Sequence, residues 1–154
     1  MREIKFRGWR RKYQEWMTGY LVIREEPYLH DIIQPIGDNS SVTGAVERDS
    51  VGQYTGLKDK NDGKGVFAGD VVNIHIFVLG VDPGTLGAYE DEQEFINVEI
   101  KHGNPFDGDI YVPAFYFEYG EEIILLSTLP LHEESVEVIG NIYENPELLE
   151  EAPQ

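Results

Sequence analysis

The chain has no cysteine among its 154 residues. This excludes a disulfide framework, thiolate metal ligation and a cysteine nucleophile. Nor is there any run of about 20 apolar residues, the length a membrane-spanning helix requires, and Met1 leads directly into Arg2, Glu3 and Lys5 instead of an apolar leader. A cytoplasmic protein is expected. Long segments with apolar side chains at helical spacing are also missing, which excludes a helical bundle. Histidine is sparse: His30, His75, His102 and His132 are scattered, with no pair at helical or alternating-strand spacing. No metal and no cofactor is expected from that pattern.

Acid and aromatic side chains are plentiful instead. The formal net charge is −17, yet the first 24 residues run the other way, with Arg2, Lys5, Arg7, Arg10, Arg11, Lys12 and Arg24 against only Glu3 and Glu15. An acidic surface keeps a protein dispersed, and a basic segment set against it has two uses. It can meet acidic surface in the same chain or a neighbouring subunit, or it can bind an anion such as nucleic acid. Nine Tyr, seven Phe and two Trp, with many Val and Ile and sixteen Gly, favour strands punctuated by turns.

Strands are expected at Ile4 to Trp9 and Trp16 to Ile23, forming a hairpin with Arg10, Arg11 and Lys12 near its turn. Further strands are expected at Tyr28 to Ile36, ending at a bend near Pro35, and at Val42 to Val46. The strongest period-two signal runs from Asp70 to Val78. It places Val72, Ile74, Ile76 and Val78 on one face, and Val71, Asn73, His75 and Phe77 on the other. Gly80 to Gln93 reads as a long acidic loop. Phe95 to Lys101 resumes alternation with Ile96, Val98 and Ile100 inward, and a tight return at His102 to Gly108 precedes a strand from Ile110 to Tyr119 with a bulge at Pro113. Ile123 to Leu126 and Ser135 to Tyr143 supply the last strands, with Gly140 absorbing a parity change as a bulge. Asn145-Pro146-Glu147 is a good start for a short helix.

Between these strands lies a distinctive stretch, Val51-Gly52-Gln53-Tyr54-Thr55-Gly56-Leu57-Lys58-Asp59-Lys60-Asn61-Asp62-Gly63, continuing to Ala68-Gly69-Asp70-Val71-Val72. Together with Arg2-Glu3-Ile4-Lys5-Phe6-Arg7-Gly8, Glu15-Trp16, Gly19-Tyr20-Leu21 and Gly140-Asn141-Ile142-Tyr143-Glu144-Asn145-Pro146-Glu147-Leu148-Leu149, it resembles the YopX family of bacteriophage and prophage proteins. The resemblance covers most of the chain. The family pattern has an Asn-Gly turn and Glu-Gly-Asp, whereas this chain inserts Asp62 between Asn61 and Gly63 and has Ala68 in place of the glutamate. The family carries no assigned activity, so the resemblance implies no catalytic residue. Physically, the Asn, Asp and Gly positions suit tight turns, and Asp70 suits a turn whose carboxylate accepts backbone hydrogen bonds.

Recognisable chemistry does not emerge. Six residues separate Gly56 from Gly63-Lys64 where a phosphate loop needs four, and Gly65 follows where Ser or Thr should stand. Asp59 to Gly63 fails the calcium-loop pattern, because its third potential ligand position does not hold a suitable residue and no helices flank it. Ser127 and Ser135 have no identifiable base, and runs such as Glu90-Asp91-Glu92 with Glu94 are ordinarily solvated. The stretch Phe6-Arg7-Gly8-Trp9-Arg10-Arg11-Lys12-Tyr13 interleaves cations with rings, making Arg7, Arg10, Arg11 and Lys12 the candidate anion or partner contacts.

The expected fold is mainly β: an N-terminal hairpin region over residues 1–50, then a barrel-like antiparallel core over 51–154 closed by a short C-terminal helix, the two forming either one continuous domain or two regions. The expected function is that of a non-enzymatic phage or prophage accessory protein acting through a protein partner or as a homo-oligomer. The alternative is a nucleic-acid-binding accessory factor. A hydrolase built from dispersed carboxylates is a third reading, and it requires a cleft with converging acids.

Overall fold

The computed structural model describes residues 4–106 and 113–150. The end of the expected return at Gly108 and the start of the expected strand at Ile110 lie outside the described residues, while Pro113, expected as a bulge, stands just before a strand that begins at Ala114. β1 (Phe6–Arg10) and β2 (Glu15–Val22) form the anticipated hairpin, in register from Phe6↔Gly19 to Arg10↔Glu15. They are followed by β3 (Leu29–Ile36), β4 (Ser40–Glu47), β5 (Gly52–Lys58) and β6 (Gly65–Phe67). Together these make one sheet in the order β4-β3-β2-β1-β5-β6.

β7 (Asp70–Val81) lies between β8 (Ala88–Glu99) and β12 (Val136–Asn141), the central position its apolar pattern predicts. A third sheet has the order β11-β10-β9, built from β9 (Lys101–Gly103), β10 (Ala114–Tyr119) and β11 (Glu122–Leu125). The helix α1 (Glu147–Glu150) ends the described chain. Among the described residues all strand pairs are antiparallel, and the sheets remain open instead of closing a barrel.

Two apolar clusters hold the sheets together. The larger joins Val72, Ile74 and Ile76 of β7 to Phe95 and Val98 of β8 and to Phe115 and Phe117 of β10. Phe95 meets Phe117 edge-on at 5.1 Å, a favourable arrangement for buried rings. Met17, Ile32 and Val46 form the smaller cluster, flanked by Phe6, Leu21 and Val51. Gly8 makes that packing possible: a Cβ there would lie 2.5 Å from the Val46 side chain.

Register shifts, among them one at Gly140 and one in β8, change the parity of the strands. At Gly140 the register jumps from Val138↔Val72 to Gly140↔Val71, as the sequence predicts. A Cβ on Gly140 would stand 2.7 Å from both the Asn145 carboxamide and the Leu148 side chain. In β8 the inward residues are Phe95 and Val98 in place of the expected Ile96 and Val98. Asn97 takes a left-handed φ of 53° and donates its amide N–H to Asn73 Oδ1 at 2.9 Å, so two residues of β8 oppose one of β7.

The largest departure from expectation is at Gly80 to Gln93, which forms a hairpin arm and not a long loop. β7 continues to Val81, and its pairing with β8 runs from Val81↔Ala88 inward. Asp82 organises the turn: its carbonyl accepts Leu86 N–H at 2.7 Å, and its carboxylate accepts Gly84 N–H at 2.8 Å. Gly80, which reads as a breaker, provides room for the Tyr89 ring directly across the ladder.

Candidate functional site

Alternation along β1 sends Phe6, Gly8 and Arg10 to one side and Arg7 and Trp9 to the other. Arg7 thereby reaches Asp70 at the start of β7: Nη2 and Oδ1 are 2.7 Å apart, and both side chains are largely buried. Asp70 Oδ2 accepts the Phe67 amide N–H at 2.8 Å, the backbone bond expected of an aspartate at this turn. Burial pushes the Asp70 carboxyl up from its ordinary value, against the opposing pull of the Arg7 charge and the Phe67 amide. The Arg7 guanidinium lies 4.4 Å from the Trp16 ring and 5.2 Å from that of Phe67. Its Nε is buried with no acceptor among the described residues.

The C-terminal segment closes over this pair. Trp9 and Trp16 meet edge-on at 5.2 Å, and the Tyr143 ring lies 5.9 Å from Trp9 and 6.1 Å from Trp16. Trp16 Nε1 donates to Glu144 Oε1 at 2.8 Å, and Asn141 Nδ2 donates to the same oxygen at 3.0 Å. Asn145, an apparent helix cap by sequence, turns its carboxamide oxygen back to the Asn141 N–H at 3.3 Å.

Asp59 anchors the other end of the signature. Its carboxylate accepts the Val138 N–H of β12 at 2.7 Å and the Asn61 and Asp62 N–H groups at 3.3 and 3.2 Å. Burial acts to raise its pKa, but those hydrogen bonds prevail and hold it below the ordinary carboxylate value. Asp62, the residue inserted relative to the family pattern, accepts Lys64 N–H at 2.9 Å, and Gly63 follows with a φ of 73°.

An open cleft of about 310 Å³ lies beside the Arg7–Asp70 pair, with Trp16, Tyr143, Tyr116, Glu99 and Lys101 on its walls. Burial raises the Glu99 pKa; the Lys101 charge opposes the shift and the Glu118 charge adds to it. Lys101 Nζ is 3.6 Å from Glu118 Oε1.

The four basic candidates therefore do not form one patch. Arg7 is locked in the seam. Arg10 is held by Glu15 at 2.9 Å and lies 3.9 Å from the Tyr13 ring, while Arg11 reaches Glu47 at 2.9 Å from an exposed position. Lys12 stands at the exposed turn, 5.7 Å from the same Tyr13 ring. Strand parity carries the signal that separates Arg7 from Arg10. The cleft residues Glu99 and Tyr116 come from separate strands and Tyr143 from the turn after β12, and no local pattern joins them. Among the described residues no group of three or more histidine and carboxylate side chains is placed to hold a metal ion, and no helix is long and apolar enough to cross a membrane.

The outer part of the β7–β8 arm presents a second surface. Phe77, Leu79 and Val81 share one face, and their cross-strand partners are Glu92, Glu90 and Ala88. Leu79 is 79% exposed and Val81 62%, and Leu86 at the tip is 78% exposed. His75, on the same face, pairs Nε2 with Glu92 at 3.6 Å, and His132 stacks on Phe77 at 5.7 Å.

These features define an antiparallel β protein whose N-terminal hairpin, central signature and C-terminal segment are clasped around one buried ion pair. The chain belongs to the YopX family: the model of that family, described as YopX protein, matches residues 5–150. No curated protein and no solved structure matches the chain. Arg7, Trp16, Gly69-Asp70 and Asn141 to Tyr143 come from the separate segments that carry the family resemblance, and all of them meet at the seam.

Proposed function

We propose that the protein is a non-enzymatic phage or prophage accessory factor, acting in the bacterial cytoplasm by holding another protein against the β7–β8 arm. The supporting observation is the row Phe77, Leu79 and Val81, exposed beside Glu90, Glu92 and Glu94 on one face. Apolar side chains grouped in water and rimmed by charge mark a contact surface. The matching surface carries apolar side chains and positive charge. Self-association is a second form of the same reading, with the acidic arm of one copy facing Arg11 and Lys12 at the hairpin turn of another. Two arms face to face would set like carboxylates against each other.

Affinity capture from phage-infected or prophage-bearing cells tests the proposal, using the native chain and a Leu79→Ser/Val81→Ser variant. A partner held by the native chain and lost by the variant is the expected result; a partner retained equally by both overturns the role of the arm. Light scattering over a range of concentrations tests self-association, and a strictly monomeric result removes it. Nucleic-acid binding through Arg10, Arg11 and Lys12 is less well supported, because carboxylates already hold two of those three side chains. Salt-dependent retention of DNA, lost on charge reversal at Arg10 and Arg11, would favour it.

A further inference from the structure

The outer half of β7 has an open edge. β12 and the residue before it fill the place beside β7 only as far as Ser135, whose carbonyl accepts the His75 N–H at 2.8 Å. Backbone groups alternate in direction along a strand, and the Asp82 N–H points the other way, to the Gly87 carbonyl across the hairpin at 2.9 Å. The N–H and C=O groups of Phe77, Leu79 and Val81 therefore face away from β8, and they have no backbone partner among the described residues. Charge or proline ordinarily guards such an edge against pairing. β8, the other edge of the arm, is guarded in this way by Glu90, Asp91, Glu92 and Glu94, whereas Phe77-Val78-Leu79-Gly80-Val81 carries neither.

We propose that this edge pairs with the same edge of a second copy, antiparallel and two-fold about Leu79, so that the two arms make one four-stranded sheet in the order β8-β7-β7-β8. This pairing rests on the reading of the arm as a contact surface and gives its self-associated form a geometry. Uncharged, five residues long and ended by the Asp82 turn, the edge is its own complement. Only with Leu79 opposite Leu79 do all three open residues of each copy exchange backbone bonds, Phe77 with Val81 and Val81 with Phe77. Val78 then stands opposite Gly80 of the second copy, where the Tyr89 ring fills the space a Cβ would take and gives the valine a wall. Charge permits the arrangement. The two β8 strands lie three spacings of about 4.8 Å apart, roughly 14 Å, which exceeds the Debye length of about 8 Å at physiological ionic strength. Face-to-face arms bring the carboxylates together; edge pairing keeps them apart. So short an interface makes a weak dimer.

Sedimentation equilibrium of the full chain from micromolar to millimolar concentration tests the pairing. Dimers and no larger species are expected, with more dimer at higher salt, because screening relieves the repulsion between two chains of net charge −17. Leu79→Lys and Leu79→Glu each set like charges opposite one another at the two-fold axis and should weaken the dimer about tenfold, while an equimolar mixture of the two should pair as tightly as the native chain. Hydrogen exchange gives a second readout: the Phe77, Leu79 and Val81 amides should gain protection as concentration rises, and those of Val78 and Gly80, already bonded to β8, should not. A chain monomeric throughout overturns the pairing. So does a dimer that Leu79→Lys leaves intact, or one that salt weakens and charge reversal at Arg11 and Lys12 abolishes. A monomeric chain that still captures a cellular protein through Leu79 and Val81 overturns the pairing alone, whereas the expected dimer beside a capture indifferent to Leu79→Ser/Val81→Ser overturns the capture alone.

Discussion

The two halves of β7 are one continuous strand with opposite surroundings. From Val71 to Ile74 it pairs with both β8 and β12, its inward side chains are buried as far as Ile76, and its first residue neutralises a guanidinium from β1. From Phe77 to Val81 it pairs with β8 alone and holds apolar side chains in water. Backbone pairing therefore continues well past the point where burial stops. An isolated two-stranded ribbon is marginal in water, so the outer half is held in shape by its attachment to the inner half. Stability is concentrated in one half, and the surface available for contact lies on the other.

Breaking the seam is the strongest challenge to that contrast. Arg7→Met leaves Asp70 buried without its counter-charge, and urea unfolding should show a loss of about 3–5 kcal/mol. The double change Arg7→Met/Asp70→Leu should recover much of that loss, because neither charge is then left buried. A cost near zero for Arg7→Met would show that the inner half of β7 is anchored by something else.

Asp59→Ala should rank next, at about 2–3 kcal/mol, because three backbone donors lose a charged acceptor. Its pH dependence has a fixed sign. The folded pKa of Asp59 is depressed, so its contribution is present above the ordinary aspartate value and fades as pH falls through the lower folded value. Thermal unfolding of both chains from neutral to strongly acid pH should show the difference shrinking.

Glu99→Gln should act in the opposite direction and more weakly. Burial raises the Glu99 pKa, so the folded state favours the neutral acid, and ionisation as pH rises through that raised value costs stability. The amide variant should therefore unfold slightly later than the native chain at neutral pH and match it at pH below the ordinary glutamate value. A variant less stable at neutral pH would assign the Glu99 charge a favourable partner.

Leu79→Ser should have the smallest effect on stability, within about 0.5 kcal/mol, as befits an exposed position. Hydrogen exchange sharpens the point: the amides of Val72 to Ile76 should exchange far more slowly than those of Leu79 to Val81. Similar protection along the whole strand would erase the distinction between its halves.

Local rules in the sequence carried the elements whose cause is local. Period-two alternation marked β1, β2 and the inner half of β7, and Gly140 marked a bulge because the apolar parity changed around it. Asp70 read correctly as a backbone acceptor, since its position before a strand fixes that geometry. The arm was hidden because Gly80, Pro83, Gly84 and Gly87 punctuate it and acids crowd β8. Its pairing depends on cross-strand matches such as Tyr89 over Gly80, which no single segment displays. The cleft was hidden for a related reason: Glu99, Tyr116 and Tyr143 become neighbours only through the order of strands. Arg7 is the instructive middle case. Composition groups it with Arg10 and Arg11, while alternation alone places it with Trp9 on the opposite face.

The bond from Trp16 to Glu144 spans 128 positions in the chain. During synthesis the hairpin leaves the ribosome long before its lid exists, and the Trp9–Trp16 face stays uncovered until the Tyr143 segment follows. Translation arrest or truncation before that segment would release a chain with its aromatic face bare, a sticky species of the kind that holding chaperones capture. The segment that holds Tyr143 and Glu144 thus sets the moment at which the aromatic face of the hairpin leaves water.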